Sequence, residues 1–203
     1  MPEISFKKMN VLLEKFLDFK GINNFTFEYE LETGYCLKYK LKQADFPNLI
    51  GLHKLIDIPL IRQFNDKNNL TITAKYLLKK IKKEQILTDE TIKNSLYFEE
   101  IKDRYNSFSK DKLLTISYKD AIIDFDKNVI NSNLNADYIL FEEKNNEYDH
   151  LCVAKDKNGC RYVESFFHNK NDFYLKGQQI VKIKSVKIFD DKGHLYFKDI
   201  FIK

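Results

Sequence analysis

The spacing of apolar residues along this chain changes from helical to alternating and divides it into three parts. Over residues 4–20, Met9, Leu12, Leu13, Phe16 and Leu17 recur at helical spacing and predict an amphipathic helix ending at Lys20-Gly21, with glycine suited to a left-handed cap. Phe25 to Leu31 and Tyr35 to Lys42 then alternate at period two around Thr33-Gly34, which predicts a hairpin. Glu28 and Glu30 would face Lys38, Lys40 and Lys42 across it, for tenths of a kcal/mol per exposed pair.

The middle of the chain, about 46–114, reads as helical. Leu49, Leu52 and Leu55 predict a helix over 47–56, with Pro47 in its first turn and Asp45 as cap. Ala74, Leu77, Leu78 and Ile81 place a second helix over 71–83, whose outer face carries Lys75, Lys79, Lys80, Lys82 and Lys83. That face is either simply solvated or a surface that attracts phosphates without specificity. A third helix is expected from Thr88 or Glu90 to about Phe108, packing through Ile92, Leu96, Ile101 and Tyr105. From Ala121 the period returns to two: 136–143, 150–155, 161–168, 179–188 and a last stretch to Phe201 predict an antiparallel meander. Helices followed by strands place the chain in the α+β class, and with no Pro/Gly/Ser-rich linker or repeat we expect one domain over 1–203.

Composition narrows the function classes. Seventeen Phe and twelve Tyr within 43% hydrophobic residues supply a large core and argue against disorder. With 34 basic and 30 acidic residues the net charge is +4, so global charge does not single out nucleic acid. No apolar run is long enough to span a bilayer and no signal-type segment is visible, so a cytoplasmic location without membrane contact is the expectation. Cys36, Cys152 and Cys160 lack C-x-x-C spacing. Cys152 and Cys160 could face each other across a hairpin, but the odd count suits reduced thiols. The four histidines have no metal-ligand spacing, so neither a metal nor another cofactor is expected.

Chemistry is concentrated around His53, which sits beside Lys54 at the margin of an apolar segment. An imidazole there could act as acid or base near neutral pH, or be a core histidine bonded to a carbonyl. His150, His168 and His194 fall in or near hairpin turns and read as exposed.

Several stretches occur in a suggestive order: Phe46-Pro47-Asn48-Leu49-Ile50-Gly51-Leu52-His53, then Asp103-Arg104-Tyr105, Ala136-Asp137-Tyr138-Ile139-Leu140, Glu164-Ser165-Phe166-Phe167 and Tyr174-Leu175-Lys176-Gly177-Gln178. Over about residues 35–190 this resembles the phage-associated barnase–EndoU–colicin–RelE-like nucleases. The resemblance implies helices on a twisted antiparallel sheet and metal-independent RNA cleavage in which the substrate's 2′-hydroxyl attacks. It implies RNA as partner and, for a toxin-like or phage-conflict protein, a protein inhibitor or antitoxin. Carried over by position, His53 is the general base or acid. Ser165 is a hydroxyl for a phosphate oxygen, and Lys176 and Gln178 belong to a Lys-Gly-Gln stretch whose glycine lets backbone approach a ligand. Lys54 and Arg104 would stabilise phosphate. Each has a plainer alternative: Ser165 as a sheet hydroxyl, Lys176-Gly177 as a turn, Arg104 paired with Glu99, Glu100 or Asp103 on its own helix. Relatives often carry histidine where this chain has Asn48, and proline where it has Val163. The competing function is therefore an RNA- or protein-binding module of a mobile element whose chemistry has eroded.

Overall fold

The computed structural model describes residues 10–115 and 118–202. Helix α1 (Val11–Lys20) starts at Asn10, whose side chain accepts from the Leu12 N–H, and buries Leu12, Phe16 and Phe19. The first residues of the helix expected over 4–20 lie outside the described residues. Leu17, expected on the packed face, is 43% exposed. Gly21 keeps a right-handed conformation and caps α1 through its own N–H, so no left-handed cap is used there.

Strands β1 (Thr26–Leu31) and β2 (Cys36–Lys40) form the expected hairpin, with Glu28 opposite Lys38 and their charged ends 2.6 Å apart. The helix expected over 47–56 is broken. A 3₁₀ turn (Gln43–Asp45) leads into the short α2 (Phe46–Leu49), and Gly51 then turns left-handed at φ +84° before a second 3₁₀ turn, Leu52–Lys54. Asp45 does not cap through its side chain; its carboxylate accepts from the Lys42 N–H at 2.7 Å.

Helices α3 (Pro59–Asn65) and α4 (Ala74–Lys82) follow, α4 capped by the Thr73 side chain. The long helix expected from about 88 to 108 is two, α5 (Asp89–Lys93) and α6 (Phe98–Ser107). Asp57 holds the interruption, accepting from Ser95 Oγ at 2.5 Å and from the Leu96 N–H at 2.8 Å. Leu96, expected to pack, is consequently 87% exposed. Helix α7 (Lys110–Thr115) completes the helical part.

The remaining strands are β3 (Asp120–Ile123), β4 (Tyr138–Lys144), β5 (Glu147–Lys155), β6 (Arg161–Asn169), β7 (Ile180–Phe189) and β8 (Leu195–Ile200). All pairings among the described strands are antiparallel, in the order β2-β1-β7-β3-β4-β5-β6, with β8 also on β7. The simple meander therefore fails at β7, which crosses back to pair with β1 and β3 instead of β6. β6 is left at the sheet's edge, although β2 approaches it from the other end, so the sheet is nearly closed on itself. The α+β class holds.

Alternate residues of β3 to β6 feed two cores. Ala121, Leu140, Leu151, Val153, Val163 and Phe166 join the large core under the helices. Ile122, Ile139, Phe141 and Cys152 join a smaller one, against which Leu134, Phe167 and Tyr174 pack. An aromatic seam ties helices to edge strand: Phe46 packs on Phe16 and Phe19 at 5.5 Å and on Phe108 at 5.7 Å, and Phe108 packs on Phe166 at 6.4 Å. Such aromatic contacts add geometric preference to burial, and here they fix β6 relative to α1 and α2.

Candidate active site

A cleft of about 490 Å³ runs along β6, walled on one side by α2, the Leu52–Lys54 turn and α6, and on the other by residues 132–135 and Tyr174. Its geometry begins with Gly51. A Cβ there would lie 2.8 Å from Ile101 Cγ2, so only glycine combines the left-handed turn with this close approach to α6. The turn that follows buries Leu52, leaving His53 half-buried in the cleft and Lys54 exposed at its rim. The Asn65 side-chain amide donates to the His53 carbonyl at 2.7 Å and holds this turn.

The opposite contribution comes from an irregularity in β6. Cys152 pairs with Ser165 and Val153 with Val163, which leaves Glu164 as the extra residue of a β-bulge. In a regular strand Glu164 and Ser165 would face opposite sides; with the bulge both line the cleft, followed at period two by Phe167 and Asn169.

Arg104 reaches the same cleft from α6. It does not pair with Glu99, Glu100 or Asp103. Arg104 is half-buried; its guanidinium donates weakly to the Asn48 carbonyl at 3.5 Å and lies 5.9 Å from the Phe167 ring centre. Among the described residues no carboxylate lies within salt-bridge distance of it, and burial lowers its pKa. A half-buried cation with no anion in salt-bridge reach, facing an open cleft, is placed to attract one.

These surroundings set the titration of the other groups. Burial first, then the charges of Arg104 and Lys54, push the His53 pKa down to about 4, below the near-neutral value expected from the sequence, so the imidazole is neutral at pH 7. Its Nδ1 is buried without a hydrogen-bond partner among the described residues. Burial pushes the Glu164 carboxyl the other way, upward. Among the described residues no group of three or more His, Cys, Asp or Glu side chains is placed to hold a metal ion.

His53, Lys54, Arg104 and Ser165 are thus brought together, and Lys176 and Gln178 are not. Lys176 is exposed beside Asp172 at 3.5 Å. The Gln178 amide accepts from the Asp126 N–H at 3.0 Å and donates to the Asp126 carbonyl at 2.9 Å. Gly177 makes its close approach to Val129 of the same chain, where a Cβ would come within 2.6 Å. The Lys-Gly-Gln stretch therefore braces the segment leading to residues 132–135. Glu164, Asn133, Asn135, Tyr174 and His168 line the cleft without having been singled out. The quoted Glu164-Ser165 pair held a signal, but strict alternation allows only one of the two to face a site.

The other histidines divide. His194 is exposed as expected. His168 is half-buried between Asp149 and Glu147, at 3.0 and 3.3 Å. His150 is fully buried, contrary to the turn reading, because residues 173–175 and the Phe167 ring cover its face of the sheet. Cys152 is buried opposite Ser165 and Ile139 and Cys160 is exposed; they do not face one another, and all three thiols are free.

An anion-seeking guanidinium beside groups able to carry a proton, on an α+β scaffold, is the equipment of a nuclease. Comparison with protein families gives the same class: the model of the phage-Barnase-EndoU-ColicinE5/D-RelE like nuclease 4 family matches residues 11–201, and the chain belongs to that family. Neither the curated proteins nor the solved structures returned a match. No helix among the described residues is long and apolar enough to cross a membrane.

Proposed function

We propose that this chain is a metal-independent endoribonuclease, of the toxin or phage-conflict kind, that cuts RNA through the substrate's own 2′-hydroxyl. The observation that carries the reading is the half-buried guanidinium of Arg104, with no carboxylate in salt-bridge reach among the described residues, in one cleft with His53, Glu164 and Ser165. A scissile phosphate seated against Arg104, with Lys54 at the rim, supplies the missing anion. Neutral His53 takes the proton of the 2′-hydroxyl as its oxygen bonds to phosphorus. Glu164, whose carboxyl is displaced toward the protonated form, gives a proton to the departing 5′-oxygen. Ser165 Oγ donates to a non-bridging oxygen. The products are a 2′,3′-cyclic phosphate and a 5′-hydroxyl. Phe167 and Tyr174 offer ring surfaces on which unpaired bases can stack. Bound phosphate also raises the His53 pKa, because its charge offsets those of Arg104 and Lys54.

The test is cleavage of a mixed-sequence RNA in excess EDTA, with end-group analysis and a fully 2′-O-methylated copy as control. Cyclic phosphate ends and an intact methylated copy are expected. Strict Mg²⁺ dependence, or cleavage of the methylated copy, overturns the reading. Asn48 favours a second reading: it places an amide, which cannot shuttle a proton, in the cleft where relatives often carry an imidazole. An eroded binding module would hold RNA in this assay without cutting it.

A further inference from the structure

A second groove, sharing no lining residue with the cleft, lies between α1, α4 and the Gln43–Asp45 turn, with a volume of about 580 Å³. Its floor is apolar: Phe16 and Leu17 from α1 and Leu78 from α4. Leu17 is the residue that leaves the packed face of its helix to stand 43% exposed there. Lysines form the rim. Lys75, Lys79 and Lys82 follow one another at i, i+4 and i+7 on α4, so with Leu78 they make one continuous stripe, and Lys20 faces them from α1. Like charges at this helical spacing repel, and among the described residues no carboxylate lies within salt-bridge distance of any of the four. The lysines that the sequence left as either a solvated face or a phosphate-attracting one thus border an apolar groove that opens to solvent chiefly at Leu17.

We propose that this groove docks a protein partner through an acidic amphipathic helix. Its apolar residues, at i, i+3, i+4 and i+7, fill the trough between α1 and α4, and its flanking carboxylates pair with the lysine stripe. Both features are required together. Lysines alone would suit any polyanion, but an apolar floor rewards side chains that a phosphate backbone lacks. Charge complementarity calls for an anionic partner, and the apolar floor selects the acidic helix over nucleic acid. A helix seated there touches none of the residues that line the His53 cleft.

The test uses the full chain and a fluorescein-labelled peptide of about eighteen residues, long enough for five helical turns, with Leu at i, i+3, i+4 and i+7 and Glu elsewhere. Fluorescence anisotropy should give a Kd of about 10 µM or tighter. A scrambled peptide of the same composition should bind at least tenfold more weakly. Leu17→Glu, and separately Lys79→Glu with Lys82→Glu, should each weaken binding at least tenfold. The lysine pair is solvent-facing, so its reversal tests the groove even if Leu17→Glu disturbs folding. His53→Ala should bind as wild type does. Equal binding of the scrambled peptide, undiminished binding by the variants, or no binding overturns the proposal. So does an RNA oligonucleotide that displaces the peptide and itself loses affinity in Leu17→Glu, which would assign the groove to nucleic acid. Self-association abolished by Leu17→Glu would assign it to a second copy of the chain.

Discussion

Two histidines on either side of one aromatic wall show how little a displaced pKa says by itself. His53 and His150 are both pushed to about 4, in each case chiefly by burial. Phe167 and Tyr174 separate them: both rings line the cleft, and both pack on His150, at 4.8 and 5.6 Å between ring centres. The difference lies in access and in company. His53 opens onto solvent beside Arg104 and Lys54, so an entering anion changes its charge balance. His150 is sealed among Phe141, Tyr148, Phe167 and Tyr174. Among the described residues neither of its ring nitrogens reaches a partner in hydrogen-bonding geometry, although the backbone of Tyr148 and Phe167 lies close enough to draw its pKa upward. One environment suits chemistry; the other stores a stability cost.

The sharpest way to break this comparison is Arg104→Met. Removing the cation should lower cleavage by about two orders of magnitude, typical for loss of a preorganised charge at a developing anion. It should also raise the His53 pKa from about 4 toward its ordinary value, because Arg104 is the largest cause after burial. A histidine titration followed by NMR reads both His53 and His150, and only His53 should move.

Gly51→Ala comes next. The left-handed backbone and the approach to Ile101 together should destabilise the fold by about 2–4 kcal/mol. Cleavage per folded molecule should fall as well, because the turn that carries His53 shifts. Chemical denaturation combined with active-fraction kinetics separates the two effects.

His150→Phe addresses stability alone. With its folded pKa near 4 against an ordinary 6.5, the unfolded chain binds the proton first. Stability is therefore lost as pH falls from about 6.5 to about 4, on the order of 3 kcal/mol for this residue. His53 adds to the same slope, reduced by its exposure. Phenylalanine should flatten most of that loss in a pH series of denaturant midpoints and leave the cleavage rate within about threefold.

At Asp45 no effect on cleavage is expected, and the sign of the stability effect is opposite. Burial raises its folded pKa to about 6 from 3.8, so the folded chain holds the proton more tightly. Stability should then fall as pH rises from about 4 to about 6, by up to about 3 kcal/mol. Asp45→Asn keeps an acceptor for the Lys42 N–H and should remove this slope in the same pH series.

What the sequence made legible follows from what hydrophobic period encodes. The β1–β2 hairpin was plain because alternation, the Thr33-Gly34 turn and the Glu28–Lys38 pair all agree. Period does not reveal a partner, so the return of β7 to β1 and β3, and with it the edge position of β6, could not be read. Leu49, Leu52 and Leu55 keep helical spacing across Gly51 although the backbone reverses there, because all three still point into one core. Of the cleft, His53, Lys54, Arg104 and Ser165 were visible as residue types in a familiar order. Glu164 was hidden by a bulge that leaves no mark in the pattern of polarity, and the burial of His150 depended on segments distant in sequence. Lys176 and Gln178 share the motif's order without sharing the cleft, which shows that order along a chain is weaker information than convergence in space.

The most direct test of the account is a paired measurement on His53→Ala: single-turnover RNA cleavage and thermal unfolding of the same preparation, beside wild type. Loss of cleavage by about two or more orders of magnitude with an essentially unchanged unfolding transition, and with RNA still bound, is the result expected of a residue that moves the proton. Unchanged cleavage per folded molecule, with or without a loss of stability, would contradict it and leave His53 in the same position as His150.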